Sequence, residues 1–196
     1  MQSSRLFVAV PLTEDVREAL VAVQGCLRPA VEGCVRWERA ANLHVTMKFL
    51  GDVRADGVQP VLDAVRAVAA ECEAAVLPAA AVDAFPRPSR PRVVVVRLTD
   101  PGGTLARAAA ELEDALARLG HPREERPFRP HITIGRARAN ARVHDLTDAL
   151  AAGSLEGVPD IVANLLVVYE STLAPSGATY AALSEERLRF RDDAHS

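Results

Sequence analysis

Leu43-His44-Val45-Thr46-Met47-Lys48-Phe49-Leu50-Gly51 is answered later in the chain by Arg129-Pro130-His131-Ile132-Thr133-Ile134-Gly135-Arg136, with the two histidines 87 positions apart. Both segments carry histidine, an aliphatic residue, threonine, and an aliphatic residue or Met. Successive strand side chains point to opposite faces, so each histidine shares a face with its threonine while the apolar pair packs on the other. One such tetrapeptide arises readily by chance. Two copies, each inside an apolar strand, point to a duplicated site with two imidazoles and two hydroxyls.

The surrounding elements also come in two runs. In the first, residues 5–10 read as a strand and Thr13 as the cap of a helix bearing Val16, Leu20, Val23 and Leu27 at helical spacing. Val35-Arg36-Trp37 is extended, the first motif strand follows at 43–50, and then a helix from about Asp56 to Cys72 and a strand over 79–85. Pro86-Arg87-Pro88-Ser89-Arg90-Pro91 interrupts regular structure, since proline fits neither a helix interior nor a central strand. The second run has a β-branched strand at 93–98, a helix opening at Thr104 with Gly120 past its end, and the second motif strand. A helix from about Val143 to Ala151 and strands over 161–172 and 180–190 complete it.

The order lacks the regular βαβ rhythm and Gly-rich turns of a nucleotide-binding parallel sheet. We therefore expect an α+β protein: one domain over residues 1–196, with two pseudo-symmetric lobes of mostly antiparallel sheet and outer helices around a central cleft. The lobes are expected over roughly 1–85 and 92–190, divided at 86–91. The motif strands should lie side by side, because only then do both histidines reach one substrate.

Bulk properties narrow the function. The chain has 196 residues and a net charge of −3, which does not suggest a surface that coats nucleic acid; any nucleotide contact must be local. Of 23 basic residues only Lys48 is lysine. The N-terminal run at 6–10 is too short for a signal peptide, and no stretch approaches the roughly 18 apolar residues of a membrane span. Cys26, Cys34 and Cys72 lack metal-ligand spacing and read as buried thiols in a reducing compartment. The expectation is a cytoplasmic monomer without cofactor, contacting no membrane.

Imidazole titrates near neutrality, so one histidine can accept a proton while the other donates one. Threonine hydroxyls can donate to non-bridging phosphoryl oxygens. In-line displacement at phosphorus needs a base at the attacking water and an acid at the leaving oxygen, on opposite sides. A pseudo-twofold pair supplies both. Zinc would need a third ligand, and neither motif carries Cys, Asp or Glu, so no metal is expected.

The chain resembles the 2H phosphoesterase superfamily, and within it the RNA 2′,3′-cyclic phosphodiesterases, also called 2′-5′ RNA ligases. The resemblance rests on the two motifs with residues 5–10, Val35-Arg36-Trp37, Asn42 through Gly51, and Arg126 through Thr133. Ser171-Thr172-Leu173, Gly177 and Tyr180 add to it. It implies metal-independent hydrolysis of a 2′,3′-cyclic phosphate on RNA or a nucleotide, leaving a 2′-phosphate. By similarity His44 is the proton donor and His131 the proton acceptor, Thr46 and Thr133 hold the phosphate, Arg136 assists there, and Phe49 stacks on the base. A core position is the other reading of Phe49. A small cyclic nucleotide, a cyclic phosphate on ADP-ribose, and a non-catalytic RNA-end binder are the alternatives. The physiological RNA, its base or length preference and the weight of ligation stay open.

Parity alone puts Lys48 on the His44 face, to contact phosphate or solvate the strand end. Arg129 is expected at the cleft entrance and Trp37 in the core. His121, His144 and His195 are expected at the surface, and residues 191–196 frayed.

Overall fold

The computed structural model describes residues 3–31, 33–138, 145–175 and 177–190. Its elements in chain order are β1 (Ser3–Pro11), α1 (Glu14–Val31), β2 (Val35–Trp37), a 3-10 turn (Ala40–Asn42), β3 (His44–Arg54), α2 (Ala55–Glu71), β4 (Ala75–Leu77) and β5 (Ala79–Phe85). These are followed by β6 (Val93–Leu98), α3 (Thr104–Arg118), β7 (His131–Ala137), α4 (Thr147–Ala151), β8 (Ile161–Ala163), β9 (Leu165–Ala174) and β10 (Gly177–Arg187). The local signals hold at the helix ends. The Thr13 carbonyl accepts the first helical bond, from the Arg17 N–H at 3.1 Å. Gly120 has φ +90°, and the bonds His121 N–H to Leu116 and Gly120 N–H to Ala117 close α3 with a left-handed cap.

An eight-stranded sheet runs β10-β9-β1-β3-β7-β6-β5, with β2 also on β7. Its pairings are antiparallel. The motif strands β3 and β7 are adjacent, as expected. Alternation along β1 shows which face is which. Leu6, Val8 and Val10 join the apolar cluster that includes Leu20, Val65 and Leu112 of the helices. Phe7 and Ala9 are equally buried but lie outside that cluster, on the opposite face, where Phe7 meets the His44 ring at 4.9 Å. One face is thus roofed by helices, and the other carries the motif histidines.

The sheet halves are not the chain halves. β5 and β6 form a hairpin in which Phe85 pairs with Val93, so the proline-rich segment 86–91 is its turn and joins strands of the same lobe. β2, from the first half of the chain, pairs with β7, while β9 and β10, from the second half, extend β1. A break in composition marks a loop, and does not say on which side of the sheet the next strand lands.

Other expectations move in detail. The strand expected over 161–172 is interrupted at Asn164: β8 pairs with the unforeseen β4 in a small second sheet, and β9 joins the main sheet between β10 and β1. Helix α4 starts at Thr147; residues 143 and 144, with the His144, His195 and 191–196 expectations, lie outside the described residues. Cys26 is exposed and Cys34 and Cys72 are half-buried, so the buried-thiol reading does not hold. No helix among the described residues is long and apolar enough to cross a membrane.

Candidate active site

The pairing of β3 with β7 is centred on Val45 opposite Ile132. Antiparallel strands run their flanking residues past one another, so His44 comes beside Thr133 and Thr46 beside His131. The four side chains mark the corners of a quadrilateral with the histidines on one diagonal and the threonines on the other. Among the described residues neither threonine hydroxyl has a hydrogen-bond partner, so both are available as donors.

Each strand then breaks its alternation at the same place. Ala9 pairs with Thr46 but Val8 with Lys48, so Met47 is the extra residue of a β-bulge. Val95 pairs with Thr133 but Val94 with Gly135, so Ile134 is its counterpart. A bulge shifts the side-chain phase by one residue. Position +5 from each histidine therefore returns to the cleft face: Phe49 in one strand, Arg136 in the other. Phe49 is 59 % exposed and lies 6.1 Å from the Phe7 ring, which excludes the core reading.

The same shift overturns the parity placement of Lys48. Its side chain is 2 % exposed and turned to the helix side. Nζ donates to Glu113 Oε2 at 2.8 Å and to the Pro122 carbonyl at 2.6 Å, so Lys48 neither touches the cleft nor solvates a strand end. It ties β3 to the segment that leads into β7.

Both imidazoles are aimed in the same way. His44 Nδ1 is 2.7 Å from the Asn42 carbonyl, and His131 Nδ1 is 2.7 Å from the Arg129 carbonyl, each two residues upstream. A carbonyl oxygen only accepts, so Nδ1 carries the hydrogen and Nε2 of the neutral ring is left as an acceptor. Arg129 thus serves through its backbone, while its side chain is exposed. The Asn42 carbonyl is fixed because Asn42 Nδ2 and Arg39 Nη2 both donate to the Ala178 carbonyl of β10, at 3.0 and 2.7 Å.

The environments differ. His44 is lined by Phe7 at 4.9 Å, Tyr180 at 5.5 Å and Tyr169 at 6.5 Å. Burial there disfavours the imidazolium and pushes His44 down to about 4, against the Asn42 carbonyl and Glu38, which favour the charged form; Arg136 and His131 add to the lowering. His131 meets Phe85 edge-on at 5.0 Å.

Arg136 is itself held. Its Nε donates to Glu38 Oε1 at 2.7 Å. Glu38 is positioned in turn by Gln24, a buried residue of α1 whose Nε2 donates to the carbonyls of Glu38 and of the bulge residue Ile134, both at 2.9 Å. Sequence reading missed Glu38, Gln24, Tyr169 and Phe85. A Gln among the apolar positions of an amphipathic helix was the one visible sign, since a buried amide needs partners. Trp37 packs against the core as expected, over the space that a side chain at Gly135 would fill: a Cβ there would lie 2.6 Å from Val35 Cγ1 and 3.1 Å from Trp37 Cε3. His121 is half-buried near Lys48, whose charge joins burial in lowering its pKa. Among the described residues, no group of three or more His, Cys, Asp or Glu side chains converges as a metal site.

The sequence matches the family model for LigT-like phosphoesterases over residues 10–95 and again over 97–180, covering both motifs. The chain belongs to that family. An RNA 2′,3′-cyclic phosphodiesterase of Archaeoglobus fulgidus is 30 % identical over 180 residues, spanning 91 % of this chain and 97 % of that protein. One of Geobacillus stearothermophilus is 30 % identical over 165 residues, which is 83 % of this chain but only 52 % of that longer protein. Among solved structures, Escherichia coli LigT in complex with 3′-AMP superposes with a TM-score of 0.72 at 25 % identity, covering 95 % of this chain and 99 % of the other. The two family segments meet at residue 96 within β6, so the duplicated family pattern, like the fold, spans the cleft.

Proposed function

We propose that this chain is a metal-independent RNA 2′,3′-cyclic phosphodiesterase of the cytoplasm, acting as a monomer and leaving a 2′-phosphate. The observation that carries the reading is the diagonal pair of histidines, each with Nδ1 bonded to a carbonyl and Nε2 available. A phosphorus atom between them would have one Nε2 on the side of the attacking water and the other beside the departing oxygen.

In this mechanism His131 Nε2 accepts a proton from water as its oxygen bonds to phosphorus. The bond from phosphorus to O3′ breaks, and His44 Nε2–H protonates O3′, giving a 3′-hydroxyl and a 2′-phosphate. Thr46, Thr133 and Arg136 donate to the non-bridging oxygens, where negative charge develops. The aromatic lining keeps His44 neutral in the free protein at pH 7, so the donor acquires its proton as the anionic phosphate enters beside it. Phe49 offers an exposed ring for the base, and stacking accepts any nucleobase. The names of the Archaeoglobus and Geobacillus relatives support the activity, and the 3′-AMP complex of LigT supports a nucleotide ligand.

The test is an assay in EDTA on an oligonucleotide ending in 2′,3′-cyclic phosphate, with a 2′-phosphate end as the expected product. Activity lost in EDTA and restored by metal ions would end the metal-free mechanism. Binding without turnover would make the protein an RNA-end binder. A cyclic mononucleotide and an ADP-ribose cyclic phosphate run in parallel would expose a preference for small substrates.

A further inference from the structure

Arg136 is not the only arginine of the cleft that is held by its Nε. On β6, Arg97 is the direct cross-strand partner of His131. Antiparallel partners share a face and lie about 5 Å apart at Cα. The neighbours Val94, Val96 and Leu98 turn into the helix-side core, so Arg97 stands on the cleft face with His131. Its Nε lies 3.3 Å from Asp83 Oδ2, and Asp83 is itself fixed by the Ala84 N–H donating to Oδ1 at 2.8 Å.

The two arrangements match in form. In each, a carboxylate less exposed than its arginine lies against Nε, hydrogen-bonded at 2.7 Å in Glu38–Arg136 and ion-paired at 3.3 Å in Asp83–Arg97: Glu38 is 17 % exposed against 47 % for Arg136, and Asp83 25 % against 52 % for Arg97. A guanidinium engaged through Nε keeps its two terminal nitrogens as donors, in the fork that suits phosphate oxygens. The positions differ. Arg136 lies beyond Thr133, at the His44 end of the site. Arg97 flanks His131 on the side away from β3, one strand spacing of about 4.8 Å further from the quadrilateral. Along the strand axis it shares the Thr46–His131 row, the end of the site towards Phe49, whereas Arg136 lies past the His44–Thr133 row.

We propose that Arg97, oriented by Asp83, binds a second phosphate: the one on the 5′ side of the terminal nucleoside whose base rests on Phe49. This rests on the cyclic phosphodiesterase reading of the site and names a substrate feature which that reading leaves open. Arg97 is a binding residue for a group that does not react, and it favours substrates carrying a 5′-phosphate or an upstream phosphodiester over a bare nucleoside cyclic phosphate.

The experiment compares calorimetric affinities for adenosine 2′,5′-bisphosphate and adenosine 2′-monophosphate, product-like ligands that require no turnover. The wild-type protein should prefer the bisphosphate by about tenfold, equivalent to about 1.4 kcal/mol, and the preference should weaken with added salt. In R97Q the ratio of the two affinities should fall close to one, and D83N should give an intermediate ratio. Circular dichroism confirms that both variants are folded. Equal affinities in the wild type, no binding of either nucleotide, or a preference that survives R97Q would overturn the proposal. Failure of the underlying reaction shows separately, as absence of turnover of any cyclic phosphate by the wild-type protein.

Discussion

The His44 and His131 strands are two solutions to one backbone problem. Both tether Nδ1 to the carbonyl two residues back, place a threonine at +2, bulge at +3 and bring a side chain back to the cleft at +5. They diverge in what surrounds that frame. The first has phenylalanine at +5 and an aromatic wall of Phe7, Tyr169 and Tyr180. The second has arginine at +5, with Glu38 and Gln24 behind it. Duplicated backbone geometry supplies the symmetric part of the site, two imidazoles and two hydroxyls. In the proposed reaction the side chains break the symmetry between a base end and a phosphate end.

The strongest test of equivalence is to remove each imidazole. His131→Ala and His44→Ala should each lower kcat by roughly 10²–10⁴-fold, the range for general acid–base catalysis. The pH–rate profile of the wild type should be bell-shaped, with apparent pKa values belonging to the pair. Near-normal turnover in either variant would leave that residue without a proton-transfer role.

Behind the bulges the comparison concerns stability. At +4 the first strand has Lys48, sealed against Glu113 and the Pro122 carbonyl, and the second has Gly135 beneath Trp37 and Val35. Lys48→Met leaves the Glu113 carboxylate unpaired and should destabilise by about 3 kcal/mol, the lower part of the range for a broken buried pair, because Glu113 keeps some contact with water. Gly135→Ala should cost about 1–3 kcal/mol through overpacking. Urea unfolding measures both; a neutral Lys48→Met would show that the pair only replaces what an apolar contact supplies.

Burial of His44 also predicts a pH dependence. Its pKa in the folded protein, about 4, lies below the unfolded value of about 6.5. Between these values the unfolded chain binds the extra proton, so stability falls as pH drops from about 6.5 towards 4. The contribution is about 2 kcal/mol, discounted for the ring's partial exposure. Comparing urea midpoints at pH 7 and 4.5, His44→Gln should lose less stability than the wild type. An equal loss in both would assign the acid sensitivity to other groups.

How much of this was legible depends on whether the signal was local. The repeated His-x-Thr needed only strand parity, and Gly120 only its position after an amphipathic run. Lys48 failed because parity assumes a regular strand, and a bulge is created by the partner strand as much as by its own residues. Residues 86–91 marked a break in regular structure, read as a division between lobes where it is a hairpin turn, because which strands pair across the sheet is a long-range property that no window of sequence carries. Phe49 and Arg136 were reached through family resemblance, and strict alternation would have put both on the wrong face. Glu38 and Gln24 act from elements distant in sequence, so nothing adjacent to the motifs announced them.

The +5 positions give the finest separation between the two ends. Arg136→Gln removes charge-assisted donors from the phosphate and should lower kcat/KM by roughly 10–100-fold on every cyclic phosphate, with or without a base. Phe49→Ala removes only a stacking surface, worth about 1–3 kcal/mol per base. Because Phe49 is largely exposed, folding should be little changed, and the loss should appear in KM and be similar for all four nucleobases. A cyclic phosphate on an abasic ribose divides the two effects. Its hydrolysis should be insensitive to Phe49→Ala and still sensitive to Arg136→Gln. If Phe49→Ala slowed the abasic substrate as much as the nucleotide, Phe49 would be shaping the strand around His44, and the division into a base end and a phosphate end would have to be abandoned.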